Sequence, residues 1–223
     1  MSFSATHPAL EGIRLVVFDL DGTLIDSVPD LAAAVDGALR DMALPEVGEA
    51  AVRDWVGNGS RKLVERALHA VGAQDVELDA AHEAFLRHYR QAPCQLTYVY
   101  PGVRDALEAL AARDMMLGLV TNKPTAFIAP ILKCLGLEHY FALSLGGDAL
   151  STRKPAPAPL LHLADRLEVA PSACLMVGDS RHDVEAGKRA GFRTLAVPYG
   201  YNHGEPVAAS EPDVMVESLG ELV

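Results

Sequence analysis

From Tyr98 onward the chain alternates between stretches of helical period and apolar runs too short to be helices. GVRDALEALAARD, TAFIAPILKCLG, PAPLLHLADRLEV and RHDVEAGKRAG read as helices; in the second, Ile128, Ile131, Leu132 and Leu135 share one face. MMLGLVTN, ALSLGG, ACLMVGD and TLAVP alternate with them and read as strands. Strands separated by helices cannot pair as tight hairpins, so this order predicts an α/β fold with helices wound around a parallel sheet. IRLVVF (13–18) is one more short run rich in β-branched residues and joins that sheet as its first strand. From Val28 to Gln91 only helical spacing is visible. Leu31, Val35, Ala38, Leu39 and Met42 recur that way, as do Leu63, Val64, Ala67, Leu68 and Val71 before Gly72, and Ala81, Phe85 and Tyr89. Residues 26–96 are therefore expected to form an all-helical insertion, and 1–25 with 97–223 the core.

Half of the 223 residues are apolar and 22% are charged, enough to bury a substantial core in one large domain or in one domain with an appendage. No run of eighteen apolar residues appears, so no transmembrane helix is expected. The opening MSFSATHPALEGIRL is neither basic nor apolar enough for a secretory signal. Cys94, Cys134 and Cys174 lie far apart without CxxC spacing, which predicts reduced thiols and a cytoplasmic protein. A net charge of −11 argues against nucleic acid or an anionic membrane as partner. A small anionic ligand remains open, because beyond about 8 Å the global charge is screened and local lysines or a bound cation decide.

Ligands of open α/β sheets collect outside the C-terminal ends of the strands. Four strand ends here carry polar clusters. The first run stops at Asp19 and Asp21, followed by Gly22 and Thr23; the next ends in Thr121, Asn122 and Lys123. Asp148 and then Lys154 before Pro155 follow the third, and Gly178-Asp179-Ser180 with Asp183 ends the fourth. Singly, each has an ordinary reading: Asp-Gly marks a turn, Ser180 caps a helix, Lys154 is a solvated charge. Asp19 with Asp21 is harder to dismiss, since two like charges ending a buried strand repel each other. A hard cation with oxygen ligands offsets that repulsion, and magnesium brings a phosphate dianion with it.

The residue types suit phosphoryl transfer. Asp19 is already ionised at neutral pH and needs no base to attack phosphorus. Asp21 would give a proton to the departing alkoxide and later take one from water, which requires the two carboxyls to differ in proton affinity. Thr121 and Lys154 offer donors to the phosphoryl oxygens.

DLDGTL (19–24), Thr121-Asn122, Lys154-Pro155 and GDSRHD (178–183) resemble, in order and separation, the four motifs of the haloacid dehalogenase superfamily. That resemblance implies a Rossmann-like core with an inserted helical cap, a small phosphorylated metabolite as substrate and Mg2+ as cofactor. It implies Asp19 as nucleophile, Asp21 as acid/base whose main-chain carbonyl also binds the metal, and Asp179 as the third metal ligand. Asp183 would stand behind them, holding metal-bound water or Lys154. DSVPDL, WVGNGSRKLVERAL, YPGV, TNKP, GGDALSTRKPAPAPL and YGYNHGEP are similar to the phosphoglycolate phosphatase branch, and several of these pieces are shared by sugar-phosphate phosphatases.

The cap would choose the substrate, because the core sees only phosphate. Gly59 opens a helix whose N-terminus can receive a carboxylate, and Arg61 or Lys62 could pair with it; as surface charges of a helix they would do neither. A phosphomutase reusing the aspartyl phosphate, a phosphatase for another small phosphosugar and a phosphate-binding module without turnover stay as alternatives. A dehalogenase has no use for Asp21. Monomer and homodimer are both compatible with the sequence.

Overall fold

A computed structural model describes residues 7–223. Its centre is a six-stranded, all-parallel sheet in the order β5-β4-β1-β6-β7-β8. The strands are β1 (Leu15–Phe18), β4 (Met116–Val120), β5 (Leu143–Leu145), β6 (Cys174–Gly178), β7 (Arg193–Ala196) and β8 (Val214–Met215). Val17 of β1 pairs with Gly118 on one side and Met176 on the other. After β1 the chain builds outward to β5 and then returns to β6 on the opposite flank, so the topological switch point lies at the C-terminal end of β1.

The two-residue alternation of a strand divides the core. Val16 and Phe18 face the cluster shared with α5 (Val103–Ala111) and α6 (Thr125–Cys134), whereas Leu15 and Val17 face α7 (Ala158–Arg166) and α8 (Arg181–Ala190). Helices thus cover both faces, and every residue of β1 is buried.

The insertion holds α1 (Val28–Asp41), α2 (Gly48–Trp55), α3 (Ser60–Ala70) and α4 (Leu78–Gln91). Helical spacing had not marked α2, which buries only Val52 fully. A two-stranded antiparallel ribbon, β2 (Ile25–Asp26) with β3 (Tyr98–Val99), brackets the helices, and two-residue strands carry no readable period. Two buried carboxylates fasten this neck. Asp30 accepts from the Leu96 N–H at 3.0 Å and from the Thr97 N–H and hydroxyl at 2.8 and 2.6 Å. Asp26 accepts from the Tyr201 and Tyr98 hydroxyls at 2.5 and 3.1 Å and pairs with Arg53 at 3.0 Å.

The expectation of three reduced thiols is overturned for two of them. Cys94, on the chain leaving α4, is disulfide-bonded to Cys134 at the end of α6; only Cys174 is free, and it is buried. Forty residues separate the bonded pair, a spacing that carries no local signature. Among the described residues no helix is long and apolar enough to cross a membrane.

Reducing the Cys94–Cys134 bond should lower stability by about 2–4 kcal/mol, read as a drop in melting temperature with reductant. Alkylation of the denatured chain should modify one cysteine without reductant and three with it. Asp26→Asn, which removes a charged acceptor, should cost about 1.5–3 kcal/mol at neutral pH. Burial opposes the Asp26 charge, but Tyr201 and Arg53 outweigh it and hold the carboxyl below its ordinary 3.8. Its contribution is therefore present above that pH and lost as pH falls through the lower folded value. Melts of the two proteins should converge at the acid end.

Candidate active site

Asp19 is the first residue beyond β1, and its N–H continues the ladder to the Val177 carbonyl at 2.9 Å. The sheet thereby fixes its backbone, while its carboxylate accepts from the Leu20 N–H at 2.7 Å. The tight turn that follows requires Gly22: φ is +90°, and a Cβ there would collide with the Asp179 carboxylate and the Tyr201 ring. Gly178, ending β6, has the same need on the other side, since a Cβ would run into Asp183.

Asp19, Asp179 and Asp183 converge, each offering an oxygen within 4.8 Å of the others. Lys154, itself buried, places its ammonium 2.9 Å from Asp19, 2.7 Å from Asp183 and 2.7 Å from the Val120 carbonyl. Asp179 is positioned by the Thr23 hydroxyl at 2.6 Å and the Tyr201 N–H at 2.6 Å. Asp183 occupies the first turn of α8 and accepts from the Ser180 N–H and hydroxyl at 3.1 and 2.7 Å. Asp21 stands apart from this trio: Lys123 binds its two oxygens at 2.8 and 3.0 Å, and the Ser27 hydroxyl donates to one of them at 2.5 Å.

One Lys154 ammonium does not balance three close acids. Burial pushes the Asp19 carboxyl up to about 6, with Lys154 opposing and Asp183 and Asp21 adding to the rise. Burial, then the charges of Asp183 and Asp19, lift Asp179 well above the carboxylate range despite its Thr23 and Tyr201 donors. Lys154 stays charged, because its two carboxylate partners outweigh its burial. A site built of carboxylate oxygens and short of positive charge fits a hard divalent cation, which Asp19 and Asp179 could hold.

The other expected residues are distributed as follows. Thr121 is buried at the end of β4 and lines the same cavity as Asp19, Asp21 and Gly59. Asn122 also lines it, but its amide donates to the carbonyls of Gly57 and Lys154 at 2.9 and 3.0 Å, tying the inserted helices to the Lys154 loop. Arg61 and Lys62 are not at the cavity. They lie on the exposed side of α3, where Arg61 pairs with Asp79, and Lys62 with Glu65 at 2.6 Å. With their nearest partners on the solvent side, these chains follow the surface face of the helix.

Asp148 caps α6 through the Thr125 N–H at 2.8 Å. Thr23, Ser27, Tyr201 and Tyr89 have no role at the site in the sequence reading. Lys123 stood in the strand-end cluster without a role, although its place two residues after Thr121 was the available signal.

The chain matches the model of the haloacid dehalogenase-like hydrolases over residues 16–197. It is 44% identical to the phosphoglycolate phosphatase of Escherichia coli strain K12, over 96% of this chain and 92% of that protein. The corresponding enzyme of Salmonella paratyphi A is 45% identical over the same shares. The crystal structure of a predicted phosphoglycolate phosphatase from Haemophilus somnus superposes with a TM-score of 0.91 at 37% identity, covering 95% of this chain and 96% of that one. Sheet order, strand-end acids and likeness over nearly the whole length agree: this chain belongs to the haloacid dehalogenase-like hydrolases.

Proposed function

We propose that this hydrolase cleaves 2-phosphoglycolate to glycolate and inorganic phosphate through a phosphorylated Asp19, with magnesium as cofactor and residues 26–96 as the cap over the site. The observation that carries the chemistry is the meeting of Asp19, Asp179, Asp183 and the Lys154 ammonium at the switch point of the sheet. The substrate follows from likeness over nearly the full length to relatives bearing the phosphoglycolate phosphatase name.

In the first half-reaction an Asp19 oxygen bonds to phosphorus as the ester P–O bond breaks. The leaving alkoxide takes its proton from Asp21. In the second, Asp21 takes a proton from water, the resulting hydroxide bonds to phosphorus, and the bond to Asp19 breaks, releasing phosphate and restoring the carboxylate. Lys154 opposes protonation of Asp19, and the Thr121 hydroxyl supplies a donor for the phosphoryl group. When bound, the cation adds positive charge for the phosphoryl oxygens and relieves the repulsion between Asp19 and Asp179.

Asp19→Asn should lower phosphate release from 2-phosphoglycolate by about 10⁴-fold or more, while circular dichroism and melting temperature stay near those of the parent. Chelation by EDTA should abolish phosphate release and magnesium should restore it; magnesium should also raise the melting temperature of the parent more than that of Asp179→Asn. Full activity after chelation, or in Asp19→Asn, would remove the reading.

A further inference from the structure

The cavity beside Asp19 has one half lined by the core and the other by the inserted helices together with α6. Leu31, Leu63, Phe85 and Phe127 make its outer wall apolar. An anion entering such a pocket loses its water and needs a charged donor in return.

Among the residues lining the cavity, Lys123 carries the only positive charge. Its side chain is 2% exposed, and its ammonium lies 5.0 Å from the centre of the Tyr89 ring. Tyr89 lines the same cavity and is buried beside the Lys123 ammonium, yet its hydroxyl proton has no acceptor among the described residues. A buried donor without an acceptor is costly, and it marks where an acceptor belongs. Lys123 now holds Asp21, but Asp21 also has the Ser27 hydroxyl. The ammonium can therefore turn to a ligand anion without leaving that carboxyl bare.

We propose that Lys123, with the Tyr89 hydroxyl, is the specificity-determining pair that receives the tail carboxylate of the substrate. The core recognises phosphate; this pair recognises a second anion on the tail. Thr121 and Lys123 leave the same strand end two residues apart, so β4 sets the spacing between the phosphoryl subsite and the tail subsite. Exchange of Lys123 from Asp21 to the tail also frees the Asp21 carboxyl to turn toward the leaving oxygen. A neutral tail gives neither the ion pair nor that release. The assignment rests on the phosphoglycolate reading above, and it replaces the exposed Arg61 and Lys62 as the groups that choose the tail.

The test compares kcat and KM for 2-phosphoglycolate and for 2-hydroxyethyl phosphate, a neutral ester of similar size, in the parent, Lys123→Met, Lys123→Arg and Tyr89→Phe. Lys123→Met should lower the acid-to-neutral ratio of kcat/KM by about 10- to 100-fold, chiefly through KM for the acid. Lys123→Arg should recover most of the ratio. Tyr89→Phe, which leaves the Lys123–Asp21 pair in place, should lower it by about tenfold and keeps the question answerable if Lys123→Met does not fold. A ratio unchanged in the folded variants overturns the assignment and leaves Lys123 as a positioning residue for Asp21. Failure of the phosphoglycolate reading looks different: the parent itself would not favour the acid over the neutral ester, and this assignment would fall with it.

Discussion

The buried ammonium of Lys154 touches Asp19, Asp183 and the Val120 carbonyl, and so joins the ends of β1 and β4 to the first turn of α8. A lysine this deep needs partners, and a trio of carboxylates this close needs a cation; each accounts for the other. The arrangement remains short of positive charge, which is why Asp19 and Asp179 are both pushed toward protonation. That deficit is what suits the site to a divalent ion and a phosphate. The glycines at 22 and 178 serve the same end, because the acids can approach only where no Cβ intervenes.

The inserted helices are tied to this centre through the neck and through the site itself. At the neck, Asp30 and Asp26 clamp the two strands of chain that enter and leave the insertion. At the site, Asn122 reaches the Gly57 carbonyl, and Asn58 lies 2.7 Å from His182 on α8. The same Asn122 amide donates to the Lys154 carbonyl, so one side chain ties the inserted helices to the Lys154 loop. One cavity is thereby lined both by the strand ends of the core and by the inserted helices.

Much of this was legible before any coordinates. A buried parallel strand is a continuous apolar run, so β1, β4 and β6 announced themselves, and their polar termini pointed to the mouth of the sheet. The short ribbon at the neck was not legible, because two residues have no period. The Cys94–Cys134 bond was equally hidden, for it depends on where α6 ends relative to the chain leaving α4. Arg61 and Lys62 show the opposite failure. Their charge and their nearness to a glycine-rich helix start suggested a ligand, but helical geometry turns both outward to Asp79 and Glu65.

By itself the sequence determined the α/β class with its parallel sheet and the family, since both depend on local period and on residue types at strand ends. Tertiary structure alone decided which charges meet. Lys154 and Asp183 are distant in the chain yet 2.7 Å apart, and Lys123 and Asp21, separated by 102 positions, share a part-buried ion pair. Charge pairing depends on distances across the sheet and on exclusion of water, and neither is a property of any stretch of residues read alone.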